Sequence, residues 1–117
     1  MTNNEESGRS FQVKLETPDE ELNLVCGEAE YVWDAAARED VLLPWICSEG
    51  RCLTCAGRLL EGKVNQSAAE PFFPEDEAAG FVLLCRARPC SDLRIRTHQA
   101  KEMRTHRLEK GLPAPRL

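Results

Sequence analysis

Three cysteines crowd into nine residues, Cys47-Ser48-Glu49-Gly50-Arg51-Cys52-Leu53-Thr54-Cys55, and a fourth, Cys85, follows alone. Together they read C-x4-C-x2-C, then 29 residues, then C. Thiolates are soft anionic donors, so a cluster of them suits a soft metal centre. A two-residue gap lets neighbouring cysteines reach one metal region, and a four-residue gap lets the chain wrap round it. Gly50 permits backbone conformations that a side chain would forbid. The amide N–H groups of such a loop can point at the sulfurs and stabilise their negative charge.

This is the spacing of a four-thiolate [2Fe–2S] ligand set, so Cys47, Cys52, Cys55 and Cys85 are the candidate cofactor-binding and metal-binding residues. The competing reading is structural zinc. Its four-thiolate cages pair one C-x2-C with another short-spaced pair, and here the fourth cysteine stands alone. A disulfide framework is not expected. The opening MTNNEESGRS has neither the basic-then-apolar order of a secretory signal nor the arginine-rich character of a transit peptide. Cys26 reads as a small buried hydrophobe on a strand face. Cys90 follows Cys85 by five residues, as a spare ligand, a redox-sensitive thiol or simply a buried cysteine. His98 and His106 lack the cysteine spacing of a Rieske pair; His98 reads as structural and His106 as surface.

The elements that must carry these cysteines follow from the periodicity. Phe11, Val13 and Leu15 alternate with polar residues, as do Leu22, Leu24 and Cys26, and Thr17-Pro18-Asp19-Glu20 is a turn signal, predicting a hairpin. The alanine-rich run over 31–38 predicts a helix with Val32, Ala35 and Ala36 on one face. Pro44 stops what precedes it, and 45–56 form the cysteine loop. Residues 56–64 predict strand, turn and short strand. Pro71 and Pro74 bracket a loop beside the acidic Glu75-Asp76-Glu77. Phe81–Leu84 predicts a buried strand ending at Cys85, and Leu93, Ile95 and Thr97 a last strand. A short helix over 100–110 would end at Gly111 and Pro113. Strands, a helix and more strands predict an α+β domain, a mixed sheet packed on one main helix. The expected division is a tail over 1–9, a domain over 10–98 and a C-terminal extension over 99–117.

Composition agrees with a globular protein of 117 residues, 42% hydrophobic and 30% charged. No apolar run is long enough for a membrane helix, and no nucleic-acid partner is expected. The net charge of −5 hides a division. Residues 1–80 hold 17 acidic and 6 basic side chains, and residues 81–117 hold 3 acidic and 9 basic. Such asymmetry can orient a molecule towards its partners.

From Phe11 to His98 the chain resembles the plant-type [2Fe–2S] ferredoxins. The resemblance rests on Trp33-Asp34-Ala35-Ala36, Leu43-Pro44, Cys47, Cys52-Leu53-Thr54-Cys55-Ala56-Gly57 and Gly62-Lys63-Val64-Asn65-Gln66-Ser67. It continues through Ala79-Gly80-Phe81-Val82-Leu83-Leu84-Cys85, Pro89-Cys90-Ser91-Asp92 and Thr97-His98. With residues running past His98, the chain is similar to the C-terminally extended ferredoxins of cyanobacteria and plastids. The resemblance implies a β-grasp fold, a [2Fe–2S] cluster on the four cysteines, and one-electron transfer between proteins rather than enzymatic turnover. Its implied partners are a reductase and electron-accepting enzymes, photosystem I among them, met by a monomer in a cyanobacterial-type cytoplasm or, as a mature form, in the chloroplast stroma.

Two departures stand out. Ile46 is apolar where the family has a polar residue before the first ligand. The glutamate pair that engages ferredoxin–NADP reductase is replaced by Gln99-Ala100-Lys101-Glu102. Counting back from Cys85 puts Pro71, with Phe72 beside it, at the family's docking aromatic. The alternative function is an iron–sulfur redox sensor acting through Cys90 and the extension.

Overall fold

The computed structural model describes residues 9–41, 43, 53–69 and 72–114. Strands β1 (Ser10–Glu16) and β2 (Glu21–Gly27) form the expected antiparallel hairpin. Thr17 closes it: its N–H and Oγ1 both donate to the Glu20 carbonyl, at 2.9 and 2.8 Å. Alternation then buries Val13 and Leu15 on β1 and Leu24 and Cys26 on β2.

Helix α1 (Val32–Arg38) follows, with no side-chain cap. The Val32 N–H instead donates to the Ala87 carbonyl at 2.8 Å, so a helix-end donor is satisfied by the segment just beyond Cys85. Ala35 and Ala36 are fully buried. Their small side chains let the helix lie close against the sheet.

Strands β3 (Ala56–Glu61), β4 (Val64–Asn65), β5 (Phe81–Leu83), β6 (Arg88–Pro89) and β7 (Leu93–Arg96) complete the strand set among the described residues, with helix α2 (Pro74–Ala78) before β5 and helix α3 (Ala100–Glu109) after β7. The main sheet runs β2-β1-β7-β3-β5, with β1 parallel to β7 and the other pairs antiparallel. A mixed sheet packed on a helix is the β-grasp arrangement that the resemblance implies.

Four local features depart from the sequence reading or add to it. The acidic stretch beside the loop expected between Pro71 and Pro74, to which the sequence pattern assigns no element, is the body of α2, and Asp76 is buried. The strand expected over 81–84 stops at Leu83, and a 3₁₀ turn over Leu84–Arg86 carries Cys85. Strand β4 pairs with β6, a two-residue ladder outside the main sheet. His106, expected on the surface, has a side chain only 11% exposed. It rides the α3 face that also carries Met103 and Arg107, both fully buried, at helical i, i+3, i+4 spacing.

Helix α3 ends on a glycine. Gly111 has φ 71°, its N–H donates to Leu108, and the Leu112 N–H donates to Arg107. This is a Schellman motif, which satisfies carbonyls left open at a helix C-terminus. Pro44, Gly50 and most of the cysteine loop lie outside the described residues, as do Pro71, the tail before Arg9 and the last three residues.

Candidate metal centre

Two elements bring the described cysteines together. Ala56, next to Cys55, opens β3 and pairs with Leu83, the last residue of β5. The Leu84 N–H then donates to the Cys55 carbonyl at 3.1 Å. Cys85 is the next residue on the 3₁₀ turn. The sheet register thus places two thiols, 30 residues apart in the chain, with their sulfurs 3.0 Å apart. Both are buried. Two soft donors converging in a low-polarity corner are the donor chemistry that an iron–sulfur cluster requires, so the residues present fit that group. Cys47 and Cys52 lie outside the described residues.

The surroundings are apolar on the inner side, with Leu53, Leu83 and Leu84 buried. On the outer side the chain leaves Cys85 through Arg86 and Arg88. Both guanidiniums lie on Tyr31, at 5.2 and 5.7 Å from its ring centre.

Cys26 and Cys90 are not drawn into this corner. Cys26 is fully buried on β2, with its Sγ 3.3 Å from the Glu30 carbonyl oxygen. Burial, reinforced by the Glu30 and Asp34 carboxylates against the weaker pull of Arg38, pushes its thiol up to about 12. A neutral thiol is neither a nucleophile nor a ligand. Cys90 is exposed, and its N–H donates to the Lys63 carbonyl at 2.8 Å. His98 is exposed, at φ 61°, with Nδ1 2.7 Å from Thr97 Oγ1. Phe72, beside the family's docking position, is partly buried against the core.

A charged cluster that spacing alone did not reveal joins the C-terminal helix to the body. The Asp76 carboxylate accepts from the Phe73 N–H at 3.0 Å and from Arg107 Nη2 at 2.8 Å. His106 Nε2 is 3.2 Å from the same carboxylate but off the line of a hydrogen bond. Arg107 also lies 4.9 Å from the Phe73 ring centre and donates to the Pro113 carbonyl. Nothing in the spacing of Asp76 and Arg107 signalled this pairing.

Residues 16–90 match the model of the 2Fe-2S iron-sulfur cluster binding domain. The vegetative ferredoxin of Trichormus variabilis is 36% identical over 92 residues, covering 77% of this chain and 93% of that protein. Other relatives at similar identity include cyanobacterial and chloroplastic ferredoxins. Among solved structures, pectocin M2 superposes with a TM-score of 0.70 at 25% identity, over 87% of this chain and 41% of that one. The Amycolatopsis cytochrome P450 reductase superposes at 0.65 with 30% identity, over 74% of this chain and 25% of that one. The chain therefore spans less than half of either structure. With the family match, the identity and the fold in agreement, the chain belongs to the [2Fe–2S] ferredoxin family and carries that family's cluster.

Proposed function

We propose that Cys47, Cys52, Cys55 and Cys85 hold the [2Fe–2S] cluster and that the chain performs no substrate chemistry of its own. As a family member it is a one-electron carrier between redox partner proteins. The observation that supports the ligand set is the convergence of Cys55 and Cys85 at 3.0 Å through the β3–β5 register. The cluster supplies the site that gains and loses the electron. The chain's own residues supply thiolates, a dry inner wall and cations on the outer side.

The partners of this reading are a reductase on one side and electron-accepting enzymes on the other, photosystem I among them, met transiently by a monomer. Small contacts suit such encounters. The cyanobacterial and chloroplastic relatives support a cyanobacterial-type cytoplasm or the chloroplast stroma as its compartment. The regulatory alternative through Cys90 finds no support in the family match or the relatives.

Anaerobic purification followed by visible absorption, electron paramagnetic resonance and redox titration tests the reading. The expected result is a red-brown protein with a single one-electron wave, at about −400 mV if it keeps the plant-type value. A colourless protein with no wave would remove it.

A further inference from the structure

Arg88 is a held cation with no counter-charge among the described residues. It opens β6, three residues after Cys85. Its Nη2 donates to Ser67 Oγ at 3.2 Å and its guanidinium lies on the Tyr31 ring. Its Nε is buried without a hydrogen-bond partner. Four other arginines are neutralised: Arg38 by Glu30 at 2.7 Å, Arg94 and Arg96 by Glu16 at 2.8 and 3.3 Å, Arg107 by Asp76 at 2.8 Å; Arg9 and Arg58 lie on the Phe11 and Phe81 rings without a carboxylate partner among the described residues. Among the described residues Arg88 has no carboxylate within ion-pair distance. Arg86 shares the Tyr31 ring with it. Lys63 adjoins β4, the partner strand of β6, is exposed and is in no ion pair among the described residues.

Holding a half-buried guanidinium on a neutral hydroxyl and a ring costs free energy unless a negative charge arrives from outside. Arginine and tyrosine are the side chains most used as anchors in interfaces, and a guanidinium fork matches a carboxylate. We propose that Arg88, with Tyr31 and Lys63, forms a docking point for a redox partner that presents carboxylates around its own redox centre. The inference deepens the electron-carrier reading and rests on Cys85 being a ligand, since that places the cation beside the cluster. It runs against the net charge of −5, which by itself would favour a basic partner.

The contrast makes the test. The holoprotein is examined by voltammetry on gold bearing carboxylate-terminated or ammonium-terminated alkanethiol monolayers, at low salt. Electron exchange is expected at the carboxylate surface. Arg88→Glu should slow it about tenfold, the low end of electrostatic steering effects, with Arg88→Gln between. Lys14→Glu makes the same charge change at an exposed site between the buried Val13 and Leu15 and should leave the rate about unchanged. Visible absorption of every variant separates cluster loss from lost docking. A rate unchanged in Arg88→Glu, an equal fall in Lys14→Glu, or exchange only at the ammonium surface overturns the docking point. Absence of a cluster from the unaltered protein overturns the ligand reading and the docking point with it.

Discussion

Asp76 and Arg107 form an ion pair at 2.8 Å in which neither side chain is exposed, across 31 residues of chain. The pair ties α3 to α2, so the C-terminal helix is fastened to the domain through its most buried cation. One positive charge of the basic C-terminal segment is thereby used inside the protein and is not presented to a partner.

Breaking that pair from one side should be costly. Arg107→Met leaves the Asp76 carboxylate buried without its cation, and a loss of about 3–5 kcal/mol is expected. The double variant Asp76→Leu, Arg107→Met should recover much of it, because neither charge remains to be desolvated. Truncation after His98 removes the cation together with the helix that covers Asp76, so its loss should come from packing, Met103 included, and not from a buried unpaired charge. Urea unfolding of the three proteins measures this; a single variant within about 1 kcal/mol of the parent would show that the pair contributes little.

Cysteine replacements should divide sharply. Cys55→Ser and Cys85→Ser are expected to lose the visible absorption and the reduced-state resonance signal. Cys26→Ala and Cys90→Ser are expected to keep both, with Cys26→Ala costing about 1 kcal/mol in stability from lost packing. Cluster loss on replacing Cys26 or Cys90 would contradict the assigned ligand set.

The Cys26 thiol also predicts an alkaline limit. Its folded value, about 12, lies above the ordinary 9.0, because burial and nearby carboxylates disfavour the thiolate. The unfolded chain therefore ionises first. The stability from this group is fully present below about pH 9 and is lost as pH rises through about 12. Cys26→Ala should flatten that decline in a series of unfolding curves. In the native protein at pH 8, Cys90 should take up an alkylating reagent while Cys26 does not.

Gly62 is a backbone requirement of the β3–β4 turn. Its φ is 102°, and a Cβ there would run into the Asp92 carbonyl oxygen and come within 2.8 Å of Leu93 Cδ2. Gly62→Ala combines the conformational strain with that clash, so a loss above about 1 kcal/mol is expected. Thermal unfolding reads it directly, and an unchanged midpoint would mean that the turn relaxes freely.

Much of this protein was legible in its sequence because the informative patterns are local. Alternation at Val13, Leu15, Leu24 and Cys26 marks a hairpin with one buried face, and alanines at 35 and 36 mark a helix that packs closely. The four-cysteine spacing points to a cluster because ligand spacing reflects what a loop can reach. Tertiary structure decided what depends on distant segments meeting. Cys55 faces Cys85 through the pairing of Ala56 with Leu83. The two-residue ladder of β4 and β6 is too short for periodicity to show. Asp76 sits in an acidic run and Arg107 in a basic one, and each alone reads as a solvated charge. Only the packing of α3 against α2 removes both from water, and that shared burial makes them a pair.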